Sequence, residues 1–302
     1  MLGPFSPGLL RPLALTVCAL SLAGCSATRP LDLPLPTDAR VVDLLGDYTS
    51  FHKSPTNRYA IVLHGQVFSA PRDKPFRIST TEDVKREGTP IPDAFIDSDV
   101  DQITRLLVSK GYDVYRADMG EVTPADVQTV LESVGMVSDS ETHTFFAYSG
   151  EGDQRGLRTR SMIVMEGRHL VPPDATIAPD ALLAKLATIK GSKALLVNAC
   201  ESGVFAESAR KNPDFEGVVI AACAQGYATT PHEPTGTSAI YAAFLGLYSE
   251  DPKAVRNLGT VRIEKAGGTW TNLAHKWSDF WSGGGLPISY DPVVYSNGDF
   301  LF

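Results

Sequence analysis

Ala-Leu-Leu-Val-Asn-Ala-Cys-Glu-Ser-Gly, residues 194–203, opens as an apolar run and turns through small residues directly after a cysteine. An apolar run without polar alternation is typical of a parallel strand that is buried on both faces. Cys200 therefore lies at the carboxyl end of a predicted buried strand. We expect this position to present the cysteine as a nucleophile.

Residues 144–153 have the same design. They read Thr-Phe-Phe-Ala-Tyr-Ser-Gly-Glu-Gly-Asp, a β-branched and aromatic run that breaks into a glycine-rich loop. That loop is where a partner for Cys200 is expected. The residue found there is Glu151.

Short apolar segments alternate with amphipathic segments along the chain, and residues 69–92 are predicted to form a long loop. Strands are predicted at 59–63, 112–117, 142–148, 194–197 and 218–222, helices at 99–110, 124–134, 179–190 and 238–248, and a peripheral hairpin at 161–171. This alternation predicts an α/β fold, a three-layer sandwich with a mostly parallel central sheet and helices on both faces. Ligands of such sheets bind outside the carboxyl ends of the strands, where both loops and His64 are expected.

The composition excludes several classes of function. The 302 residues carry a formal net charge of -8 and give a pI near 5.3, whereas nucleic-acid binders usually have a basic stripe. We therefore expect no nucleic-acid partner. Metal ligands are not clustered at characteristic spacings, and no metal site or cofactor is predicted. Residues 147–151 break the Gly-x-Ser-x-Gly pattern at both ends, which argues against an α/β-hydrolase.

The amino terminus has the parts of an export signal: Arg11, an apolar stretch at 12–22, and small residues before Cys25. The apolar stretch is shorter than the ~20 residues that a spanning helix needs. Residues 22–25, Leu-Ala-Gly-Cys, resemble the bacterial lipobox, which implies that Cys25 is acylated and anchors the protein to a membrane. A plain secretory signal is the alternative. Ser26 resembles the outer-membrane sorting preference, so we expect a lipid-anchored protein on the periplasmic face of the cell envelope.

The remaining cysteines allow two interpretations. Cys18 leaves with the signal and Cys25 carries the lipid, so Cys200 and Cys223 remain in an exported chain. An oxidising compartment would permit a disulfide between them. The favoured interpretation is that Cys223, near the end of a neighbouring apolar run, is a small buried side chain.

From about position 58 to its end, the chain resembles the caspase-like cysteine peptidases, the clan of caspases, metacaspases and legumain. In that family one strand ends in Ser-Gly-His-Gly, with the histidine as general base, and the next ends in Asp-x-Cys-x-Ser-Gly or Glu-Ala-Cys-Glu-Ser-Gly. Here residues 149–152 read Ser-Gly-Glu-Gly, residues 198–203 read Asn-Ala-Cys-Glu-Ser-Gly, and 169–175 resemble the family's Leu-x-Pro-x-Asp segment. The resemblance implies a caspase-like domain at 58–302, after a signal peptide at 1–24 and a lipidated tether at 25–57.

The resemblance also implies a site. Cys200 is the expected nucleophile, and the backbone amides of Gly152 and Cys200 form the expected oxyanion hole. Ser149, Asn198 and Glu201 are expected on the substrate side. Asn198 replaces an acidic residue found in many relatives, which weakens the expectation of a basic P1 side chain. If Glu151, Asp153 and Glu201 face one another, a solvated acidic rim is the favoured interpretation.

Glu151 stands where the family has its catalytic histidine. A carboxylate beside a thiol raises the thiol pKa, and it is a weak base for that thiol. His64, at the end of the first strand, and His232, on a loop that resembles the pocket-forming loop of legumain, are the imidazoles that can substitute. A structural loop histidine is the alternative for each, and His143 is expected to be structural.

Two functions follow. The first is a membrane-tethered cysteine endopeptidase that attacks a peptide or protein substrate with Cys200. The second is a catalytically inactive relative that binds a peptide or a protein partner. The retained cysteine turn favours the first function, and Glu151 favours the second.

Overall fold

A computed structural model describes residues 41–43, 53–71, 79–118, 122–163, 169–172, 174–229, 231–232, 236–260 and 292–302. The predicted export signal, Cys25 and the proline-rich start of the tether lie outside these residues. Within the described part of the chain, no helix combines the length and apolar character needed to cross a bilayer.

The strands are short. In chain order they are β1 (Val41–Asp43), β2 (Arg58–His64), β3 (Gln66–Ser69), β4 (Thr89–Ile91), β5 (Asp113–Asp118), β6 (His143–Ser149), β7 (Gly152–Asp153), β8 (Gly156–Arg158), β9 (Arg160–Ile163), β10 (His169–Leu170), β11 (Thr176–Ile177), β12 (Ser192–Asn198), β13 (Val218–Ala221), β14 (Pro231–His232), β15 (Thr237–Ser238) and β16 (Val293–Ser296). The helices are α1 (Thr81–Glu87), α2 (Ala94–Ser109), α3 (Pro124–Val137), α4 (Pro179–Thr188), α5 (Gly203–Lys211) and α6 (Ala239–Gly246).

The central sheet has the order β1-β5-β2-β6-β12-β13-β16. Its first six strands run parallel, and β16 pairs antiparallel with β13. The chain order of the strands reverses between β2 and β6, which is where such sheets open a crevice for ligands. Smaller sheets, among them β10-β9-β3-β4 and β11-β8-β7, lie outside this one.

Two apolar cores confirm the predicted three-layer α/β sandwich. On one face, side chains such as Phe146 and Val197 pack with α3, α4 and α5. On the other face, side chains such as Phe145 and Leu196 pack with α2, α6 and the carboxyl-terminal phenylalanines. Both faces of β6 and β12 are therefore buried, which explains the continuous apolar runs that predicted these strands.

The structure corrects two boundaries. Helix α2 begins at Ala94, five residues before the predicted start, because the carboxylate of Asp93 caps the amides of Phe95 and Ile96. Residues 69–92, predicted as a loop, contain α1 and β4; the capping box between Thr80 and Asp83 starts α1. The strand β1, within the segment assigned to the tether, pairs with β5 at the sheet edge.

Candidate active site

Cys200 lies two residues beyond the end of β12, in the turn that leads into α5. The turn is closed by the Ser202 amide, which donates to the Ala199 carbonyl at 3.2 Å. Glu201 adopts a left-handed backbone conformation with φ 56°, and its amide donates to the Tyr227 carbonyl at 2.7 Å. The cysteine is partly exposed at the carboxyl edge of the sheet.

The loop after β6 lies directly against this turn. A Cβ atom on Gly152 would fall 2.8 Å from both the Ala199 Cβ and the Cys200 carbonyl oxygen, so only glycine fits. The Tyr148 hydroxyl holds the loop in place, 2.8 Å from the Glu151 carbonyl oxygen. The structure therefore brings Glu151 and Gly152 to Cys200, as the motif positions predict.

Thr229 is a neighbour of Cys200 that the sequence analysis missed. Its backbone amide lowers the pKa of the Cys200 thiol, and its hydroxyl donates to Asn198 Oδ1 at 2.9 Å. Thr229 lies about thirty residues downstream in the loop after β13, and no motif marks it. The pairing of β12 with β13 makes this contact, because it brings that loop over the cysteine turn.

The electrostatic surroundings of Cys200 favour the neutral thiol. Burial raises its pKa to about 12, and the negative charge of Glu151 acts in the same direction. The Thr229 amide and the positive charge of Arg158 lower the pKa, but by less. Arg158 is itself paired with Asp153, with Nη2 3.0 Å from Oδ2. At neutral pH the sulfur therefore keeps its proton.

The side chains of Ser149 and Asn198, which were expected to bind substrate, form hydrogen bonds with other residues of the protein. Both side chains are buried and point to Asp99, a fully buried residue of α2. The Ser149 hydroxyl donates to Asp99 Oδ2 at 2.6 Å, and Asn198 Nδ2 donates to Ser149 Oγ at 2.9 Å. The Ser238 amide donates to Asp99 Oδ1 at 2.8 Å.

Asp99 is thus the centre of a buried polar network beneath the site. Burial raises the pKa of its carboxyl to about 7, although the bonds from Ser149 and Ser238 oppose the shift. Through Asn198, the network reaches Thr229 and the Cys200 sulfur. The sequence placed Asp99 in the first turn of a helix and gave no sign of this role.

Glu201 is not part of a solvated acidic rim, which corrects the interpretation favoured from the sequence. The residue is only 6% exposed, and its Oε2 accepts the Gly226 amide at 3.2 Å. Its carboxylate helps to hold the loop that contains Tyr227. Asp153 is likewise engaged, with Arg155 and Arg158.

His64 lies at the carboxyl end of β2 and contacts α2. It is in register with Ser149 and, like that residue, it contacts α2: its Nδ1 lies 3.7 Å from Asp97 Oδ1. β6 separates β2 from β12, and two strand spacings amount to roughly 10 Å. The role of His64 as a base stays a prediction.

His232 is close in sequence to Thr229, a neighbour of Cys200. It belongs to β14, three residues after Thr229, and its backbone pairs with Thr237. His143 lies at the opposite edge of the sheet, where its Nδ1 is 2.9 Å from Ser192 Oγ. A structural role for His143 fits this contact.

Cys223 is a free, fully buried thiol, which fits the favoured interpretation of a small core side chain. Its sulfur lies 3.2 Å from the Tyr227 carbonyl oxygen and 3.5 Å from that of Ala199. Cys200 is also a free thiol. Among the described residues, no three His, Cys, Asp or Glu side chains cluster in a way that could hold a metal ion.

The chain has a distant likeness to a protein of known structure. No protein-family model and no curated protein matches the sequence. The fold is similar to the crystal structure of protein GSU0716 from Geobacter sulfurreducens, with a TM-score of 0.44 and 12% sequence identity. The similarity covers 80% of this chain and 93% of that chain. A likeness this distant carries no argument about the site.

Proposed function

We propose that the α/β domain, whose central sheet begins with β1 at residues 41–43, is caspase-like and that its Cys200 centre binds a peptide or protein without cleaving it. The carrying observation is the neutral thiol: burial and the Glu151 carboxylate raise the pKa of Cys200 to about 12. With that pKa, only about one thiol in 10⁵ is ionised at pH 7. A cysteine nucleophile attacks as its thiolate, so the resting site lacks the reactive species.

The position of the site supports ligand binding. Cys200 is partly exposed at the carboxyl edge of the sheet, where parallel α/β folds bind their ligands. The Gly152 backbone, in the loop after β6, lies against the cysteine turn. On another side the loop after β13 is hydrogen-bonded to the same turn. An extended peptide that lies across this edge would meet backbone groups of both loops.

A second candidate is a cysteine endopeptidase, and one contact favours it. The Thr229 amide lowers the pKa of the Cys200 thiol, which favours a thiolate. His232 follows three residues later, on a strand that begins next to this contact. In this account His232 takes the Cys200 proton when a substrate binds.

Labelling with peptidyl chloromethyl ketones distinguishes the two candidates. At pH 7 we expect no Cys200-dependent labelling of the native protein, and labelling of the Glu151→His variant, because the imidazole restores a base. Cys200→Ala sets the background. Labelling of the native protein that disappears in His232→Asn would establish the endopeptidase instead. No labelling of either native or Glu151→His protein would show that Cys200 is not at a caspase-like centre.

The proposal places the domain at the cell envelope. The lipobox-like residues 22–25 support acylation of Cys25, and the acyl chains would hold the domain at a membrane surface. The partner would then be a peptide or protein that reaches this surface.

A further inference from the structure

A cavity of about 200 Å³ lies at the amino edge of the central sheet. Arg58, which lines it, is the first residue of β2, whereas the cysteine site is at the carboxyl edge. The seven residues of β2 put about 20 Å between the two edges. The cavity is lined by Arg58, Ser109, Lys110, Lys253, Val255, Leu301 and Phe302.

The side chains that line the cavity include three cations and no carboxylate. Arg58 Nη1 donates to the Lys110 carbonyl at 2.9 Å, and Lys110 Nζ donates to the Ala254 carbonyl at 2.7 Å. Both partners are neutral backbone groups. Within the described part of the chain, neither these two residues nor Lys253 forms an ion pair. These three cations therefore form no ion pair with a side chain of the described residues, although the negative charge of Asp251 acts on Lys110.

The unfavourable electrostatic environment in the cavity affects the pKa of Lys110. Burial lowers its pKa to about 8, and the positive charge of Arg58 lowers it further. Asp251 acts in the opposite direction, and Arg256 adds to the lowering. The ammonium also lies 4.6 Å from the Tyr248 ring centre and 5.1 Å from that of Phe302. The Lys110 ammonium is thus held by two aromatic rings and a backbone carbonyl. A bound anion would reduce its repulsion from Arg58 and Arg256.

We propose that this cavity binds a small organic phosphate, with the phosphate group among Arg58, Lys110 and Lys253 and its apolar part against Val255 and Leu301. Three positive charges favour a doubly charged phosphate over a singly charged carboxylate. Val255 and Leu301 are 72% and 50% exposed, so they leave apolar surface for the organic group at the rim.

Isothermal titration of the mature protein with phenyl phosphate and benzoate tests the ligand class. We expect saturable binding of phenyl phosphate, at least tenfold tighter than binding of benzoate, because the charge of the head group differs. Inorganic phosphate is expected to bind more weakly than phenyl phosphate, since it lacks the ring. Equal affinity for phenyl phosphate and benzoate would overturn the assignment to a phosphate, and absence of saturable binding would overturn the site.

Three variants locate the binding. Lys253→Met removes an exposed ammonium and should preserve the fold, while it weakens phenyl phosphate binding about threefold. Lys110→Met should weaken binding about tenfold or more, because it removes a half-buried charged donor. Lys211→Met, on the exposed side of α5 at the other face of the sheet, is the matched control and should leave binding unchanged. The same affinity in all three variants would contradict the proposal.

Proton uptake provides an independent readout that does not need a substitution. The groups that act on Lys110 are Arg58, Arg256 and Asp251, and a bound phosphate would add a negative charge to them. At pH 8.5 the binding should therefore raise the pKa of Lys110 and take up a fraction of a proton. The binding enthalpy should then vary with the ionisation enthalpy of the buffer. Enthalpies that are independent of the buffer would show that the phosphate binds away from Lys110.

Discussion

Two neighbours of the Cys200 thiol shift its pKa in opposite directions: the Thr229 backbone amide lowers it, and the Glu151 carboxylate raises it. A hydrogen bond to a charged acceptor is worth about 1.5–3 kcal/mol, whereas burying an unpaired charge costs several kcal/mol. Glu151 adds repulsion to that cost. The balance at this residue therefore favours the neutral thiol, and an imidazole at position 151 would shift it the other way.

Gly152 sets the distance between the Glu151 loop and the cysteine turn. We predict that Gly152→Ala lowers the free energy of unfolding by about 1–3 kcal/mol, because its Cβ would collide with the Ala199 Cβ and the Cys200 carbonyl. Gly135→Ala is the control: its Cβ would have no neighbour closer than 3.9 Å, and alanine favours the helix. Urea unfolding of both variants checks this, and equal stabilities would contradict the packing described.

Asp99 joins four elements through one carboxyl group. From α2 it accepts hydrogen bonds from Ser149 of β6, Asn198 of β12 and Ser238 of β15. A buried network of this kind fixes how a helix sits on a sheet, because each displaced element would leave a buried polar atom unsatisfied. The network also accounts for the burial of the two motif residues Ser149 and Asn198.

The network predicts a pH-dependent stability. The pKa of Asp99 is raised from 3.8 to about 7 in the folded state, so between these values the folded protein binds more protons than the unfolded one. Stability therefore falls as pH rises from about 4 to about 7. Asp99→Asn mimics the protonated carboxyl and should remove up to about 4 kcal/mol of this fall.

Urea unfolding at pH 4.5 and 7.5 measures this difference. Asp101→Asn is the control, since Asp101 lies on the same helix but is partly exposed and pairs with Arg105. Its pH profile should run parallel to that of the native protein. An Asp99→Asn profile that is also parallel to the native one would contradict a raised pKa at Asp99.

At the scale of elements, the sequence predicts the strands that are buried on both faces of the sheet. The apolar runs that end at Asn198 and Ser149 are strands because both of their faces are covered. The same property hides which face His64 occupies, since alternation is absent from its strand. The pairing of β1 and β16 could not be predicted from such short segments. The burial of Glu201 depends on its contact with the loop after β13, which is distant in sequence.

Across the whole molecule, the two edges of the central sheet carry opposite chemistry. The carboxyl edge has a neutral thiol beside a carboxylate, and the amino edge has a cavity with three cations. The motifs predicted the first edge, because its residues are adjacent in sequence. The second is invisible in the sequence, since Arg58, Lys110 and Lys253 come from three separate segments.

The proposed anchor makes a prediction for the whole protein. Cells that express the native chain and are fed labelled palmitate should incorporate the label, because residues 22–25 direct acylation of Cys25. Cys25→Ala should abolish incorporation, whereas Cys200→Ala should not change it. Label that persists in Cys25→Ala would contradict the lipobox interpretation.

The reactivity of Cys200 with iodoacetamide between pH 6 and 11, followed by mass spectrometry of the Cys200 peptide, tests the central proposal most directly. For the native protein we predict a rate that rises about tenfold per pH unit and reaches no plateau below pH 10, because the thiol pKa is about 12. Glu151→Gln should move the profile to lower pH, and Glu151→His further. A native plateau at pH 8 or below would contradict a silent site, because Cys200 would then be a thiolate at neutral pH.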